Sequence, residues 1–267
     1  MSFTDKRGLG RIALGGALLG VLFGGHAAWA LLRGAAHPVE AQWCAYALCL
    51  CAFHFAEFVV TALNQPQDVS YDSYLINHSR AYTVAALASW AEFWLEAALL
   101  PGLKGGRAAL GLGVGLMLSG QALRTVAMCT AGSNFTHLVA TSRRASHVLV
   151  DRGVYAVLRH PAYLGWLAWS VGTQVALGNP VCAVLYAVAS WSFFAERIPA
   201  EEHALLAFFG ARYAQYARAT YIGIPGIHSP AAEADPARLG EAAAAREREA
   251  AAAAAGAGAQ REHEAEG

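Results

Sequence analysis

Apolar runs close to membrane-spanning length constrain this chain more than any other feature. Four of them, at residues 12–32, 43–63, 82–100 and 107–128, approach the roughly 20 residues a helix needs to cross ~30 Å of hydrocarbon. Two shorter runs, 162–178 and 180–196, are separated by Gly178-Asn179-Pro180, a stop and restart expected of a tight helical hairpin. The pattern predicts an all-α, polytopic membrane protein with about six transmembrane helices. Composition agrees: 56% of the 267 residues are apolar and 14% charged, which excludes a disordered or nucleic-acid-binding chain. The first run continues from Ile12 to Leu32 without a small-residue cleavage site and reads as a span rather than a signal peptide. The five cysteines, Cys44, Cys49, Cys51, Cys129 and Cys182, lack the paired spacing of a zinc or redox site and read as reduced, buried residues. No metal site is expected.

Charge placement orients the spans, because cytosolic loops collect Lys and Arg. Lys6, Arg7 and Arg11 precede the first span, so the N-terminus is expected in the cytosol. That side then receives Arg80, Arg143, Arg144, Arg152, Arg159, Arg197, Arg212 and Arg218, while the far side receives Arg33, Lys104 and Arg107. The 64–81 loop, the 129–161 segment and everything after Arg197 therefore share one face. Three regions follow: a four-span region at 1–128, a region at 129–228 that contains the 162–196 hairpin, and an Ala/Glu/Arg-rich tail at 229–267. The formal charge of zero combines unlike parts, since residues from Ala231 onward carry four Arg against eight acids. The tail lacks an apolar stripe and is expected to be disordered or solvated helix without catalytic content.

Glycines at every fourth residue, Gly16, Gly20 and Gly24 in the first span and Gly111 and Gly115 in the fourth, predict close helix packing at those positions. The sequons at Asn77 and Asn134 fall on the cytosolic side and are expected to stay unmodified. Ionisable residues inside spans need partners or a polar cavity. His54 with Glu57, and Glu92 with Glu96, are therefore expected to be in buried hydrogen bonds or a cleft wall, with Gln121 and Arg124 as partners.

The polar residues that spans do not explain concentrate in 133–228. Arg159-His160-Pro161 is where a cytosolic segment turns into a helix, and the unpaired amides of a helix start can hold an anionic or polar group. On composition alone the corner reads more readily as an interfacial anchor with Tyr163. Arg197 suits a bidentate carboxylate clamp, and Glu201, one helical turn on, suits a polar ligand. An ordinary i,i+4 ion pair is the alternative, and Pro199 between them is expected to start a new helix. Phe208, Phe209, Tyr213 and Tyr216 form an aromatic stripe that suits packing on the membrane surface or a wall against a lipid tail.

These motifs together resemble the isoprenylcysteine carboxyl methyltransferases, integral membrane enzymes of prenylated-protein processing. The resemblance spans residues 12–228. It rests on Arg159-His-Pro-x-Tyr-x-Gly165, Gly132-Ser-Asn-Phe135, Gly172-Thr-Gln174, Asn179-Pro-x-Cys182 and Phe193-Phe-x-x-Arg197, with Phe53-His-Phe-x-Glu57 and Asn77-His-Ser-x-x-Tyr82 upstream. It implies S-adenosylmethionine bound at the cytosolic face by His147, Val148, Leu149, Val150, Tyr155, His160, Pro161, Ala162, Tyr163 and Glu201. It also implies that Arg197 meets the substrate carboxylate in a catalytic region formed by the C-terminal half. The implied substrate is the prenylated C-terminal cysteine of CaaX proteins, and the implied place a multi-pass position in the endoplasmic reticulum membrane, within the lipid bilayer, with the active site facing the cytosol. Ala140 stands where the larger family members carry a cofactor-contacting Gln. The alternatives are a lipid-amine methyltransferase or sterol reductase of similar architecture, or a non-catalytic scaffold or transporter.

Overall fold

A computed structural model describes residues 8–76, 79–136, 147–245 and 248–249. Asn77, Ala140, Arg143 and Arg144 lie outside the described residues. Six long helices carry the fold: α1 (Leu9–Arg33), α2 (Pro38–Asn64), α3 (Arg80–Leu99), α4 (Arg107–Ala131), α5 (Pro161–Leu177) and α6 (Pro180–Phe209). Two short ones follow, α7 (Ala211–Ala219) and α8 (Pro230–Glu233). The described residues hold no strand, and a single bridge joins Leu158 to Tyr221. Proline at the first turn opens α2, α5, α6 and α8, where its missing N–H costs nothing. Ser79 caps α3 by accepting from the Tyr82 amide at 3.1 Å. Gly178, at φ +62°, closes α5 in the left-handed conformation that a hairpin turn requires.

Helices α1, α2, α4 with its following turn, and α6 are each long and apolar enough to cross a membrane. At 17 residues α5 is shorter, and ten of its residues are buried, so it sits inside the bundle rather than facing lipid. The four that qualify fall short of the six spans expected. The difference comes from α5 and from α3, which carries Glu92 and Glu96.

Among the described helices α4 and α5 pack together most closely, and the glycines that permit it are not the ones expected. A Cβ on Gly113 would lie 2.1 Å from the Ala176 amide nitrogen, and one on Gly120 would lie 2.5 Å from the Gly165 carbonyl oxygen. From the other side, a Cβ on Gly165 would lie 2.6 Å from the Gly120 carbonyl oxygen, and one on Gly172 would lie 2.9 Å from the Met117 amide nitrogen. The small residues that matter are thus seven apart on each helix, two turns along one face. A Cβ at Gly111, Gly115, Gly20 or Gly24 would meet nothing within 4 Å. Of the α1 set only Gly16 faces a close neighbour, since a Cβ there would lie 2.9 Å from the Tyr74 hydroxyl.

Buried hydrogen bonding accounts for the acids. Arg124 forks onto Glu57, with Nε to Oε1 at 2.6 Å and Nη2 to Oε2 at 2.8 Å. His54 Nδ1 lies 2.8 Å from the Tyr74 carbonyl. Gln121 turns away and donates to Thr125. Glu92 accepts from the Val181 and Cys182 amides at the start of α6, where a carboxylate is favoured by the helix dipole. Glu96 pairs with Lys104 at 2.7 Å, whose ammonium also caps the end of α5 through the Leu177 and Gly178 carbonyls. These contacts pin the hairpin at the end of the bundle opposite the site.

Candidate active site

At the other end, α4 delivers the 132–136 turn, α5 begins, and α6 extends beyond any bilayer: its 30 residues give ~45 Å of helix against ~30 Å of hydrocarbon. Contrary to the expected break, α6 runs through Pro199. Ile198 and Glu202 on either side are fully buried, and this anchoring holds both halves in line despite the missing amide. Arg197 and Glu201 therefore stay one turn apart.

An open cavity of ≈ 880 Å³ lies here. His147, Val148, Leu149, Val150, Tyr155, His160, Pro161, Ala162, Tyr163 and Glu201 all line it, so the structure brings the ten residues together although they come from three separate segments. Local bonds place each piece. Asn134 Oδ1 accepts from the Val148 amide at 2.9 Å and fixes the extended 147–150 segment to the end of α4. Tyr216 on α7 donates to the Tyr155 carbonyl at 2.7 Å. Gln65, at the end of α2, donates to the Phe135 carbonyl at 2.5 Å. The His160 ring is parallel to that of Tyr163, with 5.5 Å between centroids.

Tyr163 links the rest. Its hydroxyl donates to Glu201 Oε2 at 2.5 Å and accepts from Arg197 Nε at 2.8 Å, so a phenol links the two residues. Burial pushes the Tyr155 phenol well above its ordinary range, with the Glu201 charge adding to it. Burial likewise raises Tyr216, to about 12. Both remain neutral near pH 7 and offer O–H groups and ring faces rather than charge.

A second cavity, ≈ 1220 Å³ and predominantly apolar, runs from this site between α2, α3, α5 and α6. Phe53, Tyr82, Trp166, Trp169, Phe193 and Phe194 wall it, and Arg197 stands at its mouth. The guanidinium lies 5.5 Å from the Tyr163 ring centroid and 5.6 Å from that of Phe193. Ala81, Ala189 and Phe193 are exposed on its flank between α3 and α6, so the cavity opens sideways. Phe135, Thr136 and Tyr163 line both cavities. A polar chamber and an apolar one therefore meet at Tyr163, with a cation at the junction.

Some assignments change. Phe208, Phe209, Tyr213 and Tyr216 surround the polar cavity, because α7 folds back beneath it; the lipid-compatible wall comes instead from Phe53 on α2 and from Trp166 and Trp169 on α5. Gly172-Thr-Gln174 and Asn179-Pro-x-Cys182 lie away from both reacting ends. Gln174 Oε1 accepts from Ser89 Oγ and Asn179 Nδ2 at 2.9 and 3.0 Å, a buried polar layer that joins α3 to the hairpin. Asn134, Phe135, Arg159 and Leu205 also line the polar cavity without having been singled out for it. The Gly132-Ser-Asn-Phe135 motif was the signal that pointed to the first two.

Residues 113–207 match the model of the isoprenylcysteine carboxyl methyltransferase family, a stretch that begins in the α4 glycine seam and ends past Glu201. The chain is 44% identical over 220 residues to protein-S-isoprenylcysteine O-methyltransferase of Xenopus laevis, covering 82% of this chain and 75% of that protein. It is 46% identical to the Homo sapiens enzyme of that name over 189 residues, covering 70% and 66%. Form B of Arabidopsis thaliana is 44% identical over 67% of this chain and 90% of its own length. Among solved structures, the eukaryotic intramembrane Ras methyltransferase aligns with a TM-score of 0.80 and 42% identity, over 85% of this chain and 80% of that one. Likeness at this level, shared by sequence and fold, means that the chain belongs to the isoprenylcysteine carboxyl methyltransferase family.

Proposed function

We propose that this chain transfers the methyl group of S-adenosylmethionine to the α-carboxylate of a C-terminal S-prenylcysteine of processed CaaX proteins, at the cytosolic face of the endoplasmic reticulum membrane. The observation that carries this reading is the junction at Tyr163, where a polar cavity and a laterally open apolar one share a wall beside Arg197. The polar cavity suits the donor: Glu201 offers a carboxylate to hydroxyls or the amino group, the 147–150 backbone offers hydrogen-bonding edges, and buried phenol rings favour a cation at their faces. S-adenosylmethionine supplies an electrophilic methyl, and S-adenosylhomocysteine is the product left behind.

Methylation forms a C–O bond as the C–S bond breaks. A carboxylate is already ionised at neutral pH, so no side chain has to remove a proton. The residues instead align and desolvate the reactants. Arg197 orients the carboxylate, Tyr163 holds Arg197 and Glu201 in one hydrogen-bonded row, and the aromatic walls keep water from the reacting oxygen. An anionic acceptor fits that cation better than a lipid amine does. The prenyl chain occupies the apolar cavity and arrives through the α3–α6 flank from the bilayer. The excess of Arg at this end of the bundle supports a cytosolic orientation.

Titration of the purified protein with S-adenosylhomocysteine tests the donor half of this reading. Micromolar binding is expected, with Glu201→Ala weaker by about tenfold, the size of a lost charge-assisted hydrogen bond. Absence of measurable binding would overturn it.

A further inference from the structure

Beside the polar cavity lies a buried charged hub that the methyl-transfer chemistry does not use. Glu202 is fully buried and Arg159 nearly so, at 0% and 7% exposure. Arg159 Nε donates to Glu202 Oε1 at 2.9 Å. Its Nη1 donates to the Ala217 carbonyl at 2.6 Å and also to the Thr220 carbonyl. Its Nη2 donates to Ser229 Oγ at 3.0 Å. Ser229 in turn donates to Glu202 Oε2 at 2.6 Å and accepts from the Ala232 amide at 3.2 Å. One hydroxyl thus bonds both members of a buried ion pair and uses its full complement of one donor and two acceptors.

The segment that brings Ser229 there is where the acidic tail was expected to begin. It is docked, not solvated. Ala231 is fully buried against Tyr213 and Ala217, and its amide donates to Glu202 Oε2 at 3.3 Å. Arg218 holds the Ala234 carbonyl at 2.8 Å. A buried pair holds its place only when the remaining lone pairs and N–H groups are satisfied, and Ser229 with Ala231 supplies what Glu202 Oε2 receives in this network.

The hub adjoins the site directly. Arg159 lines the polar cavity, as do its neighbour His160 and Glu201, which precedes Glu202. His160 Nε2 lies 3.5 Å from Glu202 Oε1, and its ring faces Tyr163. We infer that Ser229 is a positioning residue for methyl-donor binding: the docked 229–234 segment completes the Arg159–Glu202 pair, and the pair sets the His160–Tyr163 wall of the polar cavity. This rests on the reading that the polar cavity takes S-adenosylmethionine.

The test compares wild type, Ser229→Ala, Ser229→Thr and a chain ending at Ala245, all in detergent. S-adenosylhomocysteine affinity and the separate KM values for donor and prenylcysteine are measured. Ser229→Ala should weaken S-adenosylhomocysteine binding and raise the donor KM by about tenfold, as for one hydrogen bond to a charged group. The prenylcysteine KM should stay at its wild-type value. Ser229→Thr, which keeps the hydroxyl, should restore donor binding, and the chain ending at Ala245 should behave as wild type. Wild-type donor affinity in Ser229→Ala would overturn the inference. So would equal losses for both substrates, or a Thr variant no better than Ala. A wild-type protein that binds no S-adenosylhomocysteine would instead refute the underlying reading of the cavity.

Discussion

Arg197→Ala should leave a folded protein that still binds S-adenosylhomocysteine but has lost almost all methyl transfer. Arg197 stands at the mouth of the apolar cavity, held by Tyr163 at 2.8 Å and backed by the Phe193 ring. Removing one partner of a desolvated, hydrogen-bonded charge pair costs about 2–5 kcal/mol, so kcat/KM for a prenylcysteine should fall roughly 100-fold or more. Arg197→Lys should recover little of it, because an ammonium cannot present two parallel N–H groups to a carboxylate. Glu201→Ala should behave in the opposite way, with its loss appearing mainly as donor affinity. If Arg197→Ala and Glu201→Ala gave the same pattern of KM changes, the division of labour across Tyr163 would be wrong.

Gly113→Ala and Gly120→Ala should each destabilise the fold severely, while Gly111→Ala and Gly115→Ala in the same helix should not. The new methyl at 113 would meet the Ala176 amide nitrogen at 2.1 Å, and the one at 120 the Gly165 carbonyl at 2.5 Å and the Trp169 amide nitrogen at 2.7 Å. Backbone cannot yield as a flexible side chain does, so the cost reaches or passes the upper end of the about 1–3 kcal/mol typical of overpacking. At 111 and 115 nothing lies within 4 Å, and changes within about 0.5 kcal/mol are expected. Thermal melting in detergent separates the two classes. Because Gly165 stands two residues beyond Tyr163 on α5, the seam that glycine permits also positions the site: loss of donor binding should accompany the loss of stability.

Much of this fold was legible because span length and Pro/Gly punctuation are local signals. Pro161 and Pro180 sit at helix starts, and Gly178 ends α5. What could not be read was partner geometry. Periodicity showed that α4 carries small residues, but which of its faces meets α5 depends on how the helices cross, so the fourfold set was favoured over the sevenfold seam that packs. Pro199 reads locally as a break, and only the burial of Ile198 and Glu202 keeps α6 continuous. The His160-Pro161 corner and Glu201 could be read as ligand-holding from the residues themselves, whereas His147 to Val150 and Tyr155 came from family resemblance alone, since nothing local distinguishes them from ordinary interfacial residues. Phe208 and Phe209 look lipid-facing until α7 is seen to turn beneath the cavity. Ser229 was invisible for the same reason, because its partners Arg159 and Glu202 are 70 and 27 residues away.

On the proposed mechanism, a donor in the polar cavity and a prenylated carboxylate in the apolar one meet at Tyr163. The most direct measurement is transfer of a labelled methyl group from S-adenosylmethionine to N-acetyl-S-farnesylcysteine by the purified protein in detergent, with unprenylated N-acetylcysteine as control. An alkali-labile methyl ester on the prenylated compound alone is expected. Equal labelling of both compounds, an alkali-stable product, or no transfer from a protein shown to bind S-adenosylhomocysteine would contradict it.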